Sequence, residues 1–111
     1  VPCWAMRFVD AAGRIVVFGA DGGPSAAVGE LARGADLLVL ESTFASRADH
    51  PDDPGHMAPD EAGRLAAAAG ARRLLLTHMF DVDDAAAMQR AAATACAVPV
   101  ELAREGATWT V

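Results

Sequence analysis

The sequence predicts an α/β fold, a mixed sheet built partly from βαβ crossovers, and three observations carry that prediction. Short apolar runs, IVVF at 15–18, LLVL at 37–40 and LLL at 74–76, alternate with segments of helical periodicity. The runs are continuously apolar instead of alternating, which is what strands covered on both faces require. Glycine, proline and acidic residues punctuate the junctions between them.

Residues 4–9 and 14–20 read as two strands joined through Asp10-Ala11-Ala12-Gly13, with glycine where a positive φ is cheap. Ser25 can cap a short helix whose Val28, Leu31 and Ala32 share one face, and Gly34 ends it. A strand follows at 36–41. The segment 42–57 holds Pro51, Pro54, Gly55 and several acids, so it is a surface loop, and its length marks it as a functional candidate.

Pro59 suits a first helical turn, Asp60 and Glu61 complement the helix dipole, and Ala62, Leu65, Ala66 and Ala69 keep i, i+3, i+4, i+7 spacing up to Gly70. A strand at 73–78, a helix from about Asp83 to Cys96, and a strand pair at 98–103 and 107–111 turning at Glu105-Gly106 complete a β-β-α-β-α-β-α-β-β order. Three crossover helices of one hand would all land on one face of the sheet. Either the strand order reverses to give a doubly wound sheet, or a second layer must come from outside the chain, in which case an exposed apolar patch is expected.

At 111 residues, 53% hydrophobic and 22% charged, the chain has material for one compact domain, residues 1–111, and none for a second core. No apolar run approaches the roughly 18 residues that span a bilayer, and Val1-Pro2-Cys3-Trp4 opens without a basic region or signal core, so no membrane partner and a cytoplasmic location are expected. The net charge is −6 and no basic cluster exceeds Arg72-Arg73, so the chain itself offers no track for a nucleic-acid backbone. Cys3 and Cys96 are far apart and lack metal spacing, which predicts free thiols.

Three polar residues recur just beyond strand ends, where open α/β sheets bind ligands: Asp21, Glu41 and His78. Carboxylate oxygen and imidazole nitrogen are suitable ligands for zinc or similar ions. His56 lies on the long loop; His50 has no evident role.

The succession VVFGADGGPS, ADLLVLESTF, GHMAPDEAG, RRLLLTHMF resembles the C-terminal half of the metallo-β-lactamase fold, in the branch of tRNase Z and its hydrolase relatives. The likeness runs from about Met6 to Val111. It implies half of a four-layer αββα sandwich, whose uncovered sheet face packs on the other half. It further implies a metal-dependent hydrolase with two divalent ions, zinc in the first instance, that activate a water against a phosphodiester, ester or related bond. Asp21 matches the carboxylate that bridges the ions, and His78 matches a terminal imidazole ligand. His56 matches a proton donor or oxyanion stabiliser, its loop acting as a lid, and Glu41 matches a carboxylate that orients that histidine.

The chain departs from the pattern in places. The family's His-x-His-x-Asp-His signature would lie upstream of Asp21, and no histidine precedes Asp21 here. The implied partner is therefore a missing N-terminal half or a second chain, with a homo-oligomer expected and a small molecule or phosphodiester as substrate. Leu40 stands where a histidine is usual, and Ala58 replaces a hydroxyl cap at a cost of about 1 kcal/mol. Two other readings remain: a phosphate-cradling loop at GADGGPS, which lacks G-x-G-x-x-G and a Walker lysine, and a non-catalytic half that self-associates or packs on a partner chain. The 111 residues alone are expected to hydrolyse nothing.

Overall fold

The computed structural model describes residues 2–80 and 83–111. Its elements, in chain order, are β1 (Met6–Val9), β2 (Ile15–Phe18), α1 (Ala26–Ala32), β3 (Leu37–Glu41), α2 (Pro59–Ala69), β4 (Leu74–Thr77), α3 (Ala85–Ala95) and β5 (Val100–Leu102), with one 3-10 turn at Arg47–Asp49. The strands form one sheet in the order β1-β2-β3-β4-β5. Only the β1–β2 hairpin is antiparallel; the other three pairings are parallel.

Local chemistry sets the element ends as expected. Asp10 closes the hairpin by accepting from Ala12 N and Arg14 N, and Gly13 takes φ +80°. Ser25 Oγ caps α1 through Val28 N, and Asp84 caps α3 through Ala87 N. Ala58 has no capping oxygen, but Glu61 reaches back to its backbone N at 2.8 Å, so half of a capping box survives.

Because the strand order never reverses, the right-handed crossovers through α1, α2 and α3 all lie on one face. Val17, Leu38, Leu40, Leu74 and Leu76 point to that side and form the core with Ala62, Leu65, Ala66, Ala69 and Ala92 of the helices. Small residues let the helices close: a side chain at Gly63 of α2 would meet the backbone of Ala92 in α3.

Register puts Met6, Phe8, Val16, Phe18, Leu37, Val39 and Leu75 on the opposite face. No helix covers it, and Met6, Phe8 and Phe18 are 44%, 54% and 36% exposed. The doubly wound alternative is thereby excluded.

One expected element is absent. Residues 107–111 form no strand; they are held by side chains instead, Trp109 Nε1 donating to Glu101, Arg73 to the Thr110 carbonyl and Arg14 to the Val111 carbonyl. Trp109 and Val111 share a hollow with Phe8 and Val16, so this segment lies against the open face and not along the edge of β5.

Candidate metal and catalytic site

The four candidate residues come together at the C-terminal ends of β2, β3 and β4. Asp21 follows β2 on a turn whose Ala20 sits at φ +55°, and His78 follows β4 at φ +57°. These are the two non-glycine residues with positive φ among the described residues, a conformation that costs about 1–2 kcal/mol each. Both turns that carry candidate residues thus hold the kind of backbone strain that recurs at functional sites.

Asp21 Oδ1 lies 3.4 Å from His78 Nδ1, and both side chains are about half exposed. Two donors each about 2.0–2.1 Å from one tetrahedral ion stand about 3.4 Å apart, so the pair has the spacing of two ligands on one cation. The donor chemistry, one carboxylate and one imidazole, fits a divalent metal.

Glu41 serves a different purpose. Its side chain is 1% exposed, and its oxygens accept four hydrogen bonds: Gly22 N (2.9 Å) and His56 Nδ1 (2.6 Å) on Oε1, Thr43 N (3.0 Å) and Met57 N (3.2 Å) on Oε2. Burial alone would raise its carboxyl, but the bonds from Thr43, His56 and Gly22 outweigh it and hold the group below the ordinary 4.5. One oxygen of Glu41 and one nitrogen each of His56 and His78 lie within 4.8 Å of one another and could together hold an ion. Four accepted bonds already occupy the Glu41 oxygens, whereas the Asp21 and His78 side chains are about half exposed and could hold an ion.

His56 gives Nδ1 to Glu41, which leaves Nε2 as the nitrogen able to exchange a proton. Its ring stands 5.8 Å from that of His78 and edge-on to Phe44 at 5.6 Å. Between the two imidazoles sits Thr43, its Oγ1 2.9 Å from His78 Nδ1 and 3.3 Å from His56 Nδ1. His50 stacks on Phe44 at 4.2 Å and closes the outer side of that ring.

The 42–57 loop is tied down at many points, unlike a free lid. Phe44 and Met57 are buried, and Gly23 lies so close to Pro54 that a side chain there would collide with the Pro54 carbonyl. Arg47 spans the loop and pairs with Glu61. Thr43 and Arg47 escaped the sequence reading, although Thr43 lies inside the ESTF motif and Arg47 is the loop's lone cation. The phosphate-cradle alternative loses its main donor, since Gly22 N–H is committed to Glu41.

Residues 2–79 match the family model described as a β-lactamase superfamily domain. The chain is 38% identical over 111 residues to "Probable metallo-hydrolase YhfI" of Bacillus subtilis, covering 98% of this chain and 44% of that one. It is 43% identical over 89 residues to ribonuclease Z of Kineococcus radiotolerans, covering 76% and 28%. The crystal structure of the metallo-β-lactamase fold protein YhfI superposes with a TM-score of 0.85 at 33% identity over 98% of this chain, and human tRNase Z, short form, with 0.64 at 28% identity over 89%. The chain spans less than half the length of these relatives. No helix among the described residues is long and apolar enough to cross a membrane. The chain belongs to the β-lactamase superfamily and carries the metallo-β-lactamase fold of its tRNase Z-like branch.

Proposed function

We propose that residues 1–111 are the C-terminal half of a metallo-β-lactamase-like domain and supply part of the site of a metal-dependent hydrolase acting on a phosphodiester, ester or related bond. The 3.4 Å approach of Asp21 to His78 is the observation that carries this reading. Asp21 and His78 would hold divalent metal, zinc in the first instance, together with donors from polypeptide beyond these residues. Two such ions, when bound, would polarise the scissile group and make a water nucleophilic at neutral pH.

The remaining residues handle orientation and protons. Glu41, held ionised by its four donors, fixes His56 with Nδ1 protonated. His56 Nε2 then faces outward and can deliver a proton to the leaving oxygen. Thr43 spaces the two rings so that the His56 edge stays next to the atoms held at His78. The open sheet face bearing Met6, Phe8 and Phe18 would pack on the sheet of the other half.

Metal content of the intact native protein tests the assignment. Asp21→Ala and His78→Ala should each lose at least about half of the bound metal; wild-type content in both would overturn the reading. The exposed apolar face also favours a second reading, a half-domain that associates without catalysis. Turnover of a phosphodiester or ester by the intact protein, lost in both variants, would remove it.

A further inference from the structure

We propose that Arg47 is the positioning residue of the site: one guanidinium gathers the 42–57 loop and thereby fixes His56 against Glu41. The inference rests on the role given above to His56.

A guanidinium has five N–H groups, and all five of Arg47's are used. Nε donates to Glu61 Oε1 at 2.9 Å, and one Nη2 hydrogen to Glu61 Oε2 at 3.0 Å, a bidentate pair. The other Nη2 hydrogen goes to the carbonyl of His56 itself at 2.8 Å. Nη1 reaches the carbonyls of His50 at 2.9 Å and Asp53 at 2.5 Å. Three carbonyls of the loop backbone are thus bound to one cation, and the cation to the first turn of α2.

A second route leads to the same ring. The guanidinium carbon lies 5.3 Å from the Phe44 centroid, and Phe44 in turn meets the His56 ring edge-on. Phe44 is 6% exposed, so its plane is set by packing and is not free to follow a displaced loop.

This arrangement explains why a loop rich in proline and acid can carry a proton donor. Carbonyls at 50, 53 and 56 that face one point repel one another, and between the buried Phe44 and Met57 the loop has little apolar surface to hold it otherwise. The Arg47 charge turns that repulsion into a common anchor. Lysine could not replace it, because one ammonium with three donors cannot serve a carboxylate edge-on and three carbonyls at once.

The experiment uses the full native chain, metal-free and with 15N-labelled histidine. Long-range 1H–15N correlation reads the His56 tautomer. Wild type should show the Nδ1–H form that Glu41 enforces. In Arg47→Ala and in the milder Arg47→Lys the signal should move toward the Nε2–H form of free imidazole, and amide exchange at Met57, whose N–H also ends on Glu41, should quicken at least about tenfold. Amide shifts of Val17, Leu38 and Leu76 report that the core remains folded.

Retention of the Nδ1–H form in Arg47→Lys, with Met57 exchange within about twofold of wild type, would overturn the proposal. Failure of the proton-donor role is seen elsewhere, as undiminished turnover by His56→Ala in the intact protein. That result would leave the Arg47 clamp standing.

Discussion

The Glu41 carboxylate, sealed from solvent, receives His56 Nδ1 at 2.6 Å and three backbone N–H groups besides. A buried charge survives only when its lone pairs are filled, and here the donors come from three separate places: the Gly22 turn, the residue two beyond Glu41, and the end of the long loop. Glu41 therefore ties the turn that carries Asp21 to the His56 ring, filling its own lone pairs and orienting that ring at once.

Glu41→Gln should expose that double duty. An amide presents its NH2 to donors and loses the charge-assisted bond, so the variant should be less stable by about 2–3 kcal/mol in urea unfolding. The carboxyl's native value is lowered, so its contribution is complete above 4.5 and disappears as pH falls through the lower native value. The acid limb of a stability–pH curve should flatten in Glu41→Gln. An unchanged limb would show that other carboxylates govern acid unfolding.

Glu61 offers the matched comparison. Burial raises its carboxyl, but Arg47 and the Ala58 N–H outweigh burial and the native value is again lowered. By the same sign, Glu61 stabilises above 4.5 and ceases to as acid protonates it. Glu61→Gln should shift the acid transition upward from wild type while leaving the Gly22 and Thr43 donors of Glu41 in place, which pH titration of the unfolding midpoint can separate.

The backbone at His78 makes a prediction of unusual direction. At φ +57° any side chain is strained, and glycine is not. His78→Gly should exceed His78→Ala in stability by about 1 kcal/mol, although both lack the imidazole. Equal midpoints for the two would mean that the turn relaxes once the ring is gone. The strain would then belong to the ring's contacts with Thr43 and Asp21.

Gly23 tests how firmly the loop is seated. A methyl group there meets the Pro54 carbonyl with no flexible side chain to yield, so the loop backbone must retreat. Gly23→Ala should cost about 1–3 kcal/mol and raise hydrogen exchange across 53–57. Gly22→Ala, with open space at its Cβ, is the control.

Much of the scaffold was legible in the residue pattern, and the omissions have physical causes. The IVVF, LLVL and LLL strands, the Ser25 cap and the Pro59 helix start are local in origin, so periodicity and capping chemistry suffice to find them. Residues 107–111 alternate like a strand, yet long-range side-chain bonds from Arg14, Arg73 and Glu101, which no local pattern reveals, hold them away from the free edge of β5. Asp21, Glu41 and His78 stand out by their place at strand ends, and His56 by motif order. The part of Arg47 was hidden because it acts on carbonyls, which every residue carries and no composition reveals.

The bare sheet face yields a prediction whose sign depends on context. Phe8 is half exposed here, so in the isolated 111 residues Phe8→Gln should leave stability within about 0.5 kcal/mol while lowering self-association in sedimentation. If the other half of the domain covers this face, the same change in the intact protein removes a fully buried ring and should cost about 2–3 kcal/mol. The reversal is the informative outcome, because an apolar residue that matters only in the longer chain must be contacting something that chain adds. Equal, small effects in both would leave the face uncovered in the native protein, and Met6, Phe8 and Phe18 would then need a partner chain to account for their exposure.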